Sequence, residues 1–219
     1  MQDRFKEFRS AKISTKLVSQ DSIVQPTNSK PIHWKPPRSP FCKINFDGAL
    51  FQDQKTAGIG VVIRNSGGHV IGALSDRIFL PATMDEVEAL ACRKAISLAL
   101  ELGVEKVVLE GDSDIIIQAL NADSICASSF GHIIEEIRVL ALNFASICFS
   151  HIKRQGNTVA DRLAKLAKYS LCPSFWADGF PRDVHNLVVV DRCFCWFIRI
   201  LVLFLKKKKK KNLPSLFAL

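Results

Sequence analysis

Four acidic residues stand at positions that call for a chemical explanation. Asp47 lies inside an alternating stretch, Asn45-Phe46-Asp47-Gly48-Ala49, and strands disfavour Asp. Glu88 shares a helical face with Ala91, Cys92 and Ala95, which is otherwise apolar. Asp112 follows a short apolar run, at the strand end where open α/β sheets gather their ligands. Asp161 falls in the first turn of the last amphipathic segment, Asn157-Thr158-Val159-Ala160-Asp161. Buried carboxylates are costly unless paired or bound to metal. Four that converge would repel one another, and divalent cations relieve that repulsion. Each also has a plainer reading when taken alone. Asp112 suits a helix N-cap, Asp161 a helix-dipole partner, and Glu88 an exposed helical residue. Asp47 has the weakest such alternative.

The elements that must position these groups follow from the apolar period. Residues 42–50 alternate as a strand, and 57–64 form a second with little polar interruption. Asn65-Ser66-Gly67-Gly68 is a strong turn, so residues 69–79 fold back as a third, antiparallel strand. Then the period lengthens. Thr83 to Glu86 is a capping-box pattern, and Val87, Leu90, Ala91, Ala95, Leu98 and Leu102 recur at helical spacing before Gly103. Residues 105–111 form strand four, and Asp112-Ser113 caps a helix carrying Ile115, Ile116, Ala119 and Leu120. A further helix spans 130–144, strand five spans 146–153, and a last helix spans 157–169. Three meander strands followed by crossovers predict an α/β fold with a five-stranded mixed sheet flanked by helices.

Charge is distributed unevenly around that core. The 219 residues carry a formal net charge of +9, which suggests a polyanionic partner. Residues 1–39 hold 8 basic and 3 acidic groups, and residues 171–219 hold 9 and 3. Residues 40–170 hold 13 basic and 15 acidic groups. The excess of positive charge therefore lies in the ends, outside the predicted domain. Residues 1–40 are basic and proline-bearing and read as a disordered linker. Residues 41–170 are the expected domain and 171–192 a C-terminal extension. Residues 193–219 hold an apolar run and six lysines, Lys206 to Lys211, and read as a dispensable tail. The run from Cys193 to Leu205 contains Arg199 and is too short to span a bilayer, so stable membrane insertion is not expected. The 7 cysteines form no Cys-x-x-Cys pair, and the N-terminus has no apolar signal region. Free thiols in an intracellular compartment, nuclear or cytoplasmic, fit that usage.

The ordered motifs resemble those of the type-1 ribonuclease H domain. More particularly, they resemble the reverse-transcriptase-like ribonuclease H domains of plant retroelements. Trp34-Lys35-Pro36-Pro37 leads into Lys43 to Ala49 (KINFDGA), followed by Gly58 to Ala73 (GIGVVIRNSGGHVIGA). Glu88 to Ala91 (EALA), Glu110 to Ser113 (EGDS) and Asn157 to Lys165 (NTVADRLAK) complete the series over about residues 34–170. The resemblance implies that Asp47, Glu88, Asp112 and Asp161 are the catalytic and metal-binding carboxylates. It implies two Mg²⁺ ions, with Mn²⁺ as an alternative, and cleavage of the RNA strand of RNA–DNA hybrids. Ser113, Asn157 and Arg154 would position or contact that nucleic acid. The chain is expected to act as a monomer.

Two departures from the family pattern stand out. Many relatives carry a loop histidine ten residues before the last aspartate. His151 has that spacing but lies within the pattern of strand five. The segment between the second and third helices has no lysine, so the basic hybrid-binding protrusion of some relatives is absent. Three rival readings follow from the same residues: a catalytically weak or inactive nucleic-acid-binding remnant, a metal-dependent exonuclease on the same fold, and a tail-anchored protein.

Overall fold

The computed structural model describes residues 33–193. Most of the predicted linker and nearly all of the apolar and poly-Lys tail lie outside the described residues. Strands β1 (Cys42–Phe51), β2 (Thr56–Arg64) and β3 (Val70–Phe79) form an antiparallel meander. The β2–β3 turn is held by Asn65, whose Oδ1 accepts from Gly67 N at 2.9 Å and His69 N at 3.0 Å. Helix α1 (Met84–Glu101) starts at Thr83, whose hydroxyl accepts from Glu86 N at 3.2 Å. Gly103 ends it at φ 68, a left-handed geometry that favours glycine. Strand β4 (Lys106–Gly111) then runs parallel to β1.

Ser113 caps helix α2 (Asp114–Asn121), leaving the Asp112 side chain free of that role. Helix α3 (Gly131–Ala141), strand β5 (Ser146–His151) and helix α4 (Thr158–Leu166) follow. The sheet has six strands, in the order β5-β4-β1-β2-β3-β6, where the sequence predicts five. The additional strand β6 (Ser174–Ala177) pairs antiparallel with β3. Its four residues alternate between half-buried and exposed, with Phe175 and Ala177 outward, and so short an element leaves little periodicity to read.

Each sheet face has its own apolar layer. Ile44, Phe46, Ile59, Val61 and Ile63 pack against α1, α2 and α3. On the other face Val62 and Ala73 meet Val159 and Leu163 of α4, with Val184 and Val188 from the C-terminal extension. Helix α4 lies directly on β2. A Cβ on Gly60 would come 2.1 Å from Ala160 O, and one on Gly58 would come 2.1 Å from Ala164 O. Gly60 is the register partner of Asp47. These two bare positions therefore let α4 carry Asp161 toward the strand that carries Asp47.

The packed unit reaches beyond residues 41–170 at both ends. Trp34, in the stretch read as linker, is 1% exposed, and its Nε1 donates to Asn45 Oδ1 at 2.9 Å. Arg64 stacks on the Trp34 ring at 3.6 Å and donates to both Asn45 and Asp191. Lys43 and Glu110 pair at 2.7 Å in the same buried network. Among the described residues no helix is long and apolar enough to cross a membrane.

Candidate active site

Strand β1 brings Asp47 to the middle of the sheet, where it is 4% exposed. Helix α1 presents Glu88 from its buried face, also 4% exposed. Asp112 is half-buried just past the C-terminal end of β4. One oxygen from each of these three carboxylates lies within 4.8 Å of the others. The backbone N–H of Gly48 ties two of them together. It donates to Asp47 Oδ1 at 2.9 Å and to Glu88 Oε1 at 3.3 Å.

The remaining oxygens, Asp47 Oδ2 and Glu88 Oε2, are buried without a hydrogen-bond partner. That arrangement is costly in a protein interior. Burial, then the charges of Asp112 and Asp161, push the Asp47 carboxyl up to about 7. Burial and the charges of Asp47 and Asp112 hold Glu88 well above the usual carboxylate range. Cys92 lies on the same helix face, and its thiol is pushed up by burial and by Glu88. A hard divalent cation with oxygen ligands fits this set, because it gives the orphaned oxygens a partner and offsets the repulsion.

The fourth predicted carboxylate is placed differently. Asp161 is near enough for its charge to raise Asp47, yet it is not one of the three brought within 4.8 Å. Both of its oxygens are taken. Arg154 Nη2 donates to Oδ1 at 3.2 Å, and Lys165 Nζ donates to Oδ2 at 2.6 Å.

Two other predicted residues, and His151, take specific places. Ser113 caps α2 with its hydroxyl. Asn157 is 1% exposed and donates to Phe46 O at 2.9 Å, so its amide ties the start of α4 to β1 beside Asp47. Its Oδ1 is buried without a hydrogen-bond partner. His151 is exposed at the end of β5, and its Nε2 lies 3.1 Å from Asp112 O. As the acceptor is a carbonyl, the ring nitrogen donates.

The sequence reasoning missed two contributors. The Gly48 N–H is a backbone group and leaves no side-chain signal. Lys165 did leave one, its i,i+4 spacing from Asp161 on α4.

A model of the reverse transcriptase-like family matches residues 45–167, from the strand of Asp47 to the end of α4. The chain belongs to the reverse transcriptase-like family. The stretch matched holds all four carboxylates and leaves out Trp34 and Asp191. Solved structures agree with this placement in the family. The chain is 25% identical to RNase H1 of the archaeon Halobacterium salinarum NRC-1, with a TM-score of 0.55, over 59% of this chain and 98% of that one. LC11-RNase H1, isolated from compost, is 25% identical at a TM-score of 0.51, covering 57% of this chain and 94% of that one. The N-terminal RNase H domain of a Mycobacterium tuberculosis protein shares the fold at 22% identity and a TM-score of 0.53, covering 58% and 92%. Comparison with curated proteins gives no match. The fold is RNase H-like.

Proposed function

We propose that this protein is a metal-dependent endonuclease that hydrolyses the RNA strand of RNA–DNA hybrids. The observation that carries the reading is the pair of buried, partnerless oxygens, Asp47 Oδ2 and Glu88 Oε2, within reach of Asp112. A solved LC11-RNase H1 in complex with an RNA/DNA hybrid, 24% identical to this chain, shares the fold.

Asp47, Glu88 and Asp112 would hold a divalent cation, and Asp161 would be the fourth ligand of a two-ion site. Mg²⁺, or Mn²⁺ in its place, would there supply activation of the attacking water and stabilisation of the leaving oxygen in an in-line displacement. Gly48 N–H fixes the orientation of both buried carboxylates before any ligand arrives. Arg154 has an exposed side chain at the mouth of the site, where a guanidinium meets phosphate oxygens. His151 is tied to the main chain of Asp112 and steadies that ligand. The hybrid is read by backbone shape and 2′-hydroxyls. A plant retroelement origin, an intracellular location and a monomeric state belong to the same reading.

A second reading is a nucleic-acid-binding domain without turnover. It is favoured by the Asp161 carboxylate, which already has two cationic side chains of its own. Incubating the full-length chain with labelled RNA–DNA hybrid, RNA duplex and DNA duplex in Mg²⁺ separates the two. Shortened RNA from the hybrid alone supports the enzyme. Retention of all three substrates intact, with binding of the hybrid, supports the second reading.

A further inference from the structure

We infer that Lys165 and Arg154 form an internal counter-ion lock on Asp161, which keeps this carboxylate from a metal ion while the protein is free of nucleic acid. The inference rests on the metal-site reading above and adds a form of regulation to it.

The four carboxylates divide into unlike sets. Asp47 and Glu88 each keep a buried oxygen with no partner. Asp161 has none to spare, with one cation on each oxygen. An ion approaching the Asp47 cluster finds buried oxygens that no cationic side chain holds. An ion approaching Asp161 meets one negative charge and two positive ones.

The lock is built into the local chain. Lys165 sits one turn beyond Asp161 on α4, the spacing at which helical neighbours meet. Arg154 comes from the turn that precedes the same helix. Asp161 cannot easily swing away from them, because α4 is seated on Gly58 and Gly60 of β2. The cations are the movable partners. Their side chains are 74% exposed for Arg154 and 49% for Lys165, and exposed ion pairs are weak. A phosphate group entering beside Arg154 offers it a bidentate partner of higher charge. Substrate then frees one Asp161 oxygen at the moment an ion there is needed.

The test is Mn²⁺ binding to the full-length chain without nucleic acid, followed by calorimetry. The wild type is expected to bind one ion tightly, in a manner abolished by Asp47→Asn, and a second ion weakly. Lys165→Met tightens the second ion about two- to fivefold, the size of an exposed ion pair, and changes the first less. Lys165→Arg preserves the pair and the wild-type pattern. Arg162→Met removes the same charge from an exposed position next to Asp161 and leaves the second ion as in wild type. Equal tightening by Lys165→Met and Arg162→Met overturns the lock, since it reports only general charge. Two equally tight ions in the wild type overturn it as well. Absence of any Asp47-dependent ion overturns the metal-site reading itself, and the lock with it.

Discussion

Arg64 Nη1 lies 2.7 Å from Asp191 Oδ2, and the two side chains are 1% and 9% exposed. This ion pair joins β2 to the C-terminal extension across 127 residues. The same guanidinium stacks on Trp34, so both ends of the described chain meet on it. Burial pushes the Asp191 carboxyl up, against the pull of Arg64. The pair is therefore a costly arrangement to build and a costlier one to break by halves.

Removing one partner leaves a buried charge. Asp191→Asn is expected to cost about 3–5 kcal/mol of stability, read by urea denaturation at neutral pH. A chain ending at residue 170 lacks Asp191 together with Val184 and Val188, and is expected to lose more. If the shortened chain unfolds at the same urea concentration as the full one, the extension is not part of the folded unit.

The charge state of Asp47 makes stability depend on pH. Its carboxyl rises from 3.8 to about 7 on folding. Between those values the folded state binds the more protons, so stability falls as pH rises through that window. Asp47→Asn removes the penalty. Without divalent cations this variant should melt at a higher temperature than wild type at pH 8 and at a similar one at pH 4. Added Mg²⁺ should narrow the gap at pH 8 by stabilising the wild type alone. A variant less stable than wild type at pH 8 would contradict the burial argument.

Gly60→Ala tests the seat of α4. The added methyl would meet Ala160 O, a backbone atom that cannot turn aside. A loss of about 1–3 kcal/mol is expected from overpacking, along with weaker divalent-cation binding as Asp161 moves outward. Thermal melts and Mn²⁺ titration read the two effects separately.

Asn157→Ala leaves Phe46 O without its donor. A buried carbonyl so stranded costs about 1–3 kcal/mol. The neighbouring residue is Asp47, so cation affinity should fall along with stability. A surface residue that contacted only substrate would instead leave the ligand-free melting temperature unchanged.

Much of this molecule was legible in its residues. The long alternating strands and the helices with strong apolar faces stand where their periods put them. Three of the four carboxylates meet because each is at odds with its local surroundings: a strand Asp, a Glu on a buried helix face, an acid past a strand end. Asp161 stands outside the three that meet, and its pairing with Lys165 was legible as an i,i+4 spacing on α4. Asn157 read as a ligand contact because it neighbours the site in sequence, and only packing shows its amide turned inward to Phe46. Strand β6 and the Arg64 network were hidden for a shared reason. A four-residue edge strand has almost no period, and a buried guanidinium reveals nothing until Trp34 and Asp191 arrive from distant parts of the chain.

The central claim is tested most directly by hybrid cleavage with the full-length protein in Mg²⁺, beside Asp47→Asn. Because that variant should be folded and more stable at pH 8, lost activity cannot be ascribed to unfolding. Shortened RNA and intact DNA are expected from the wild type, no cleavage with chelator, and a fall of about a hundredfold or more in Asp47→Asn. Wild-type protein that cleaves no faster than Asp47→Asn would contradict the central claim.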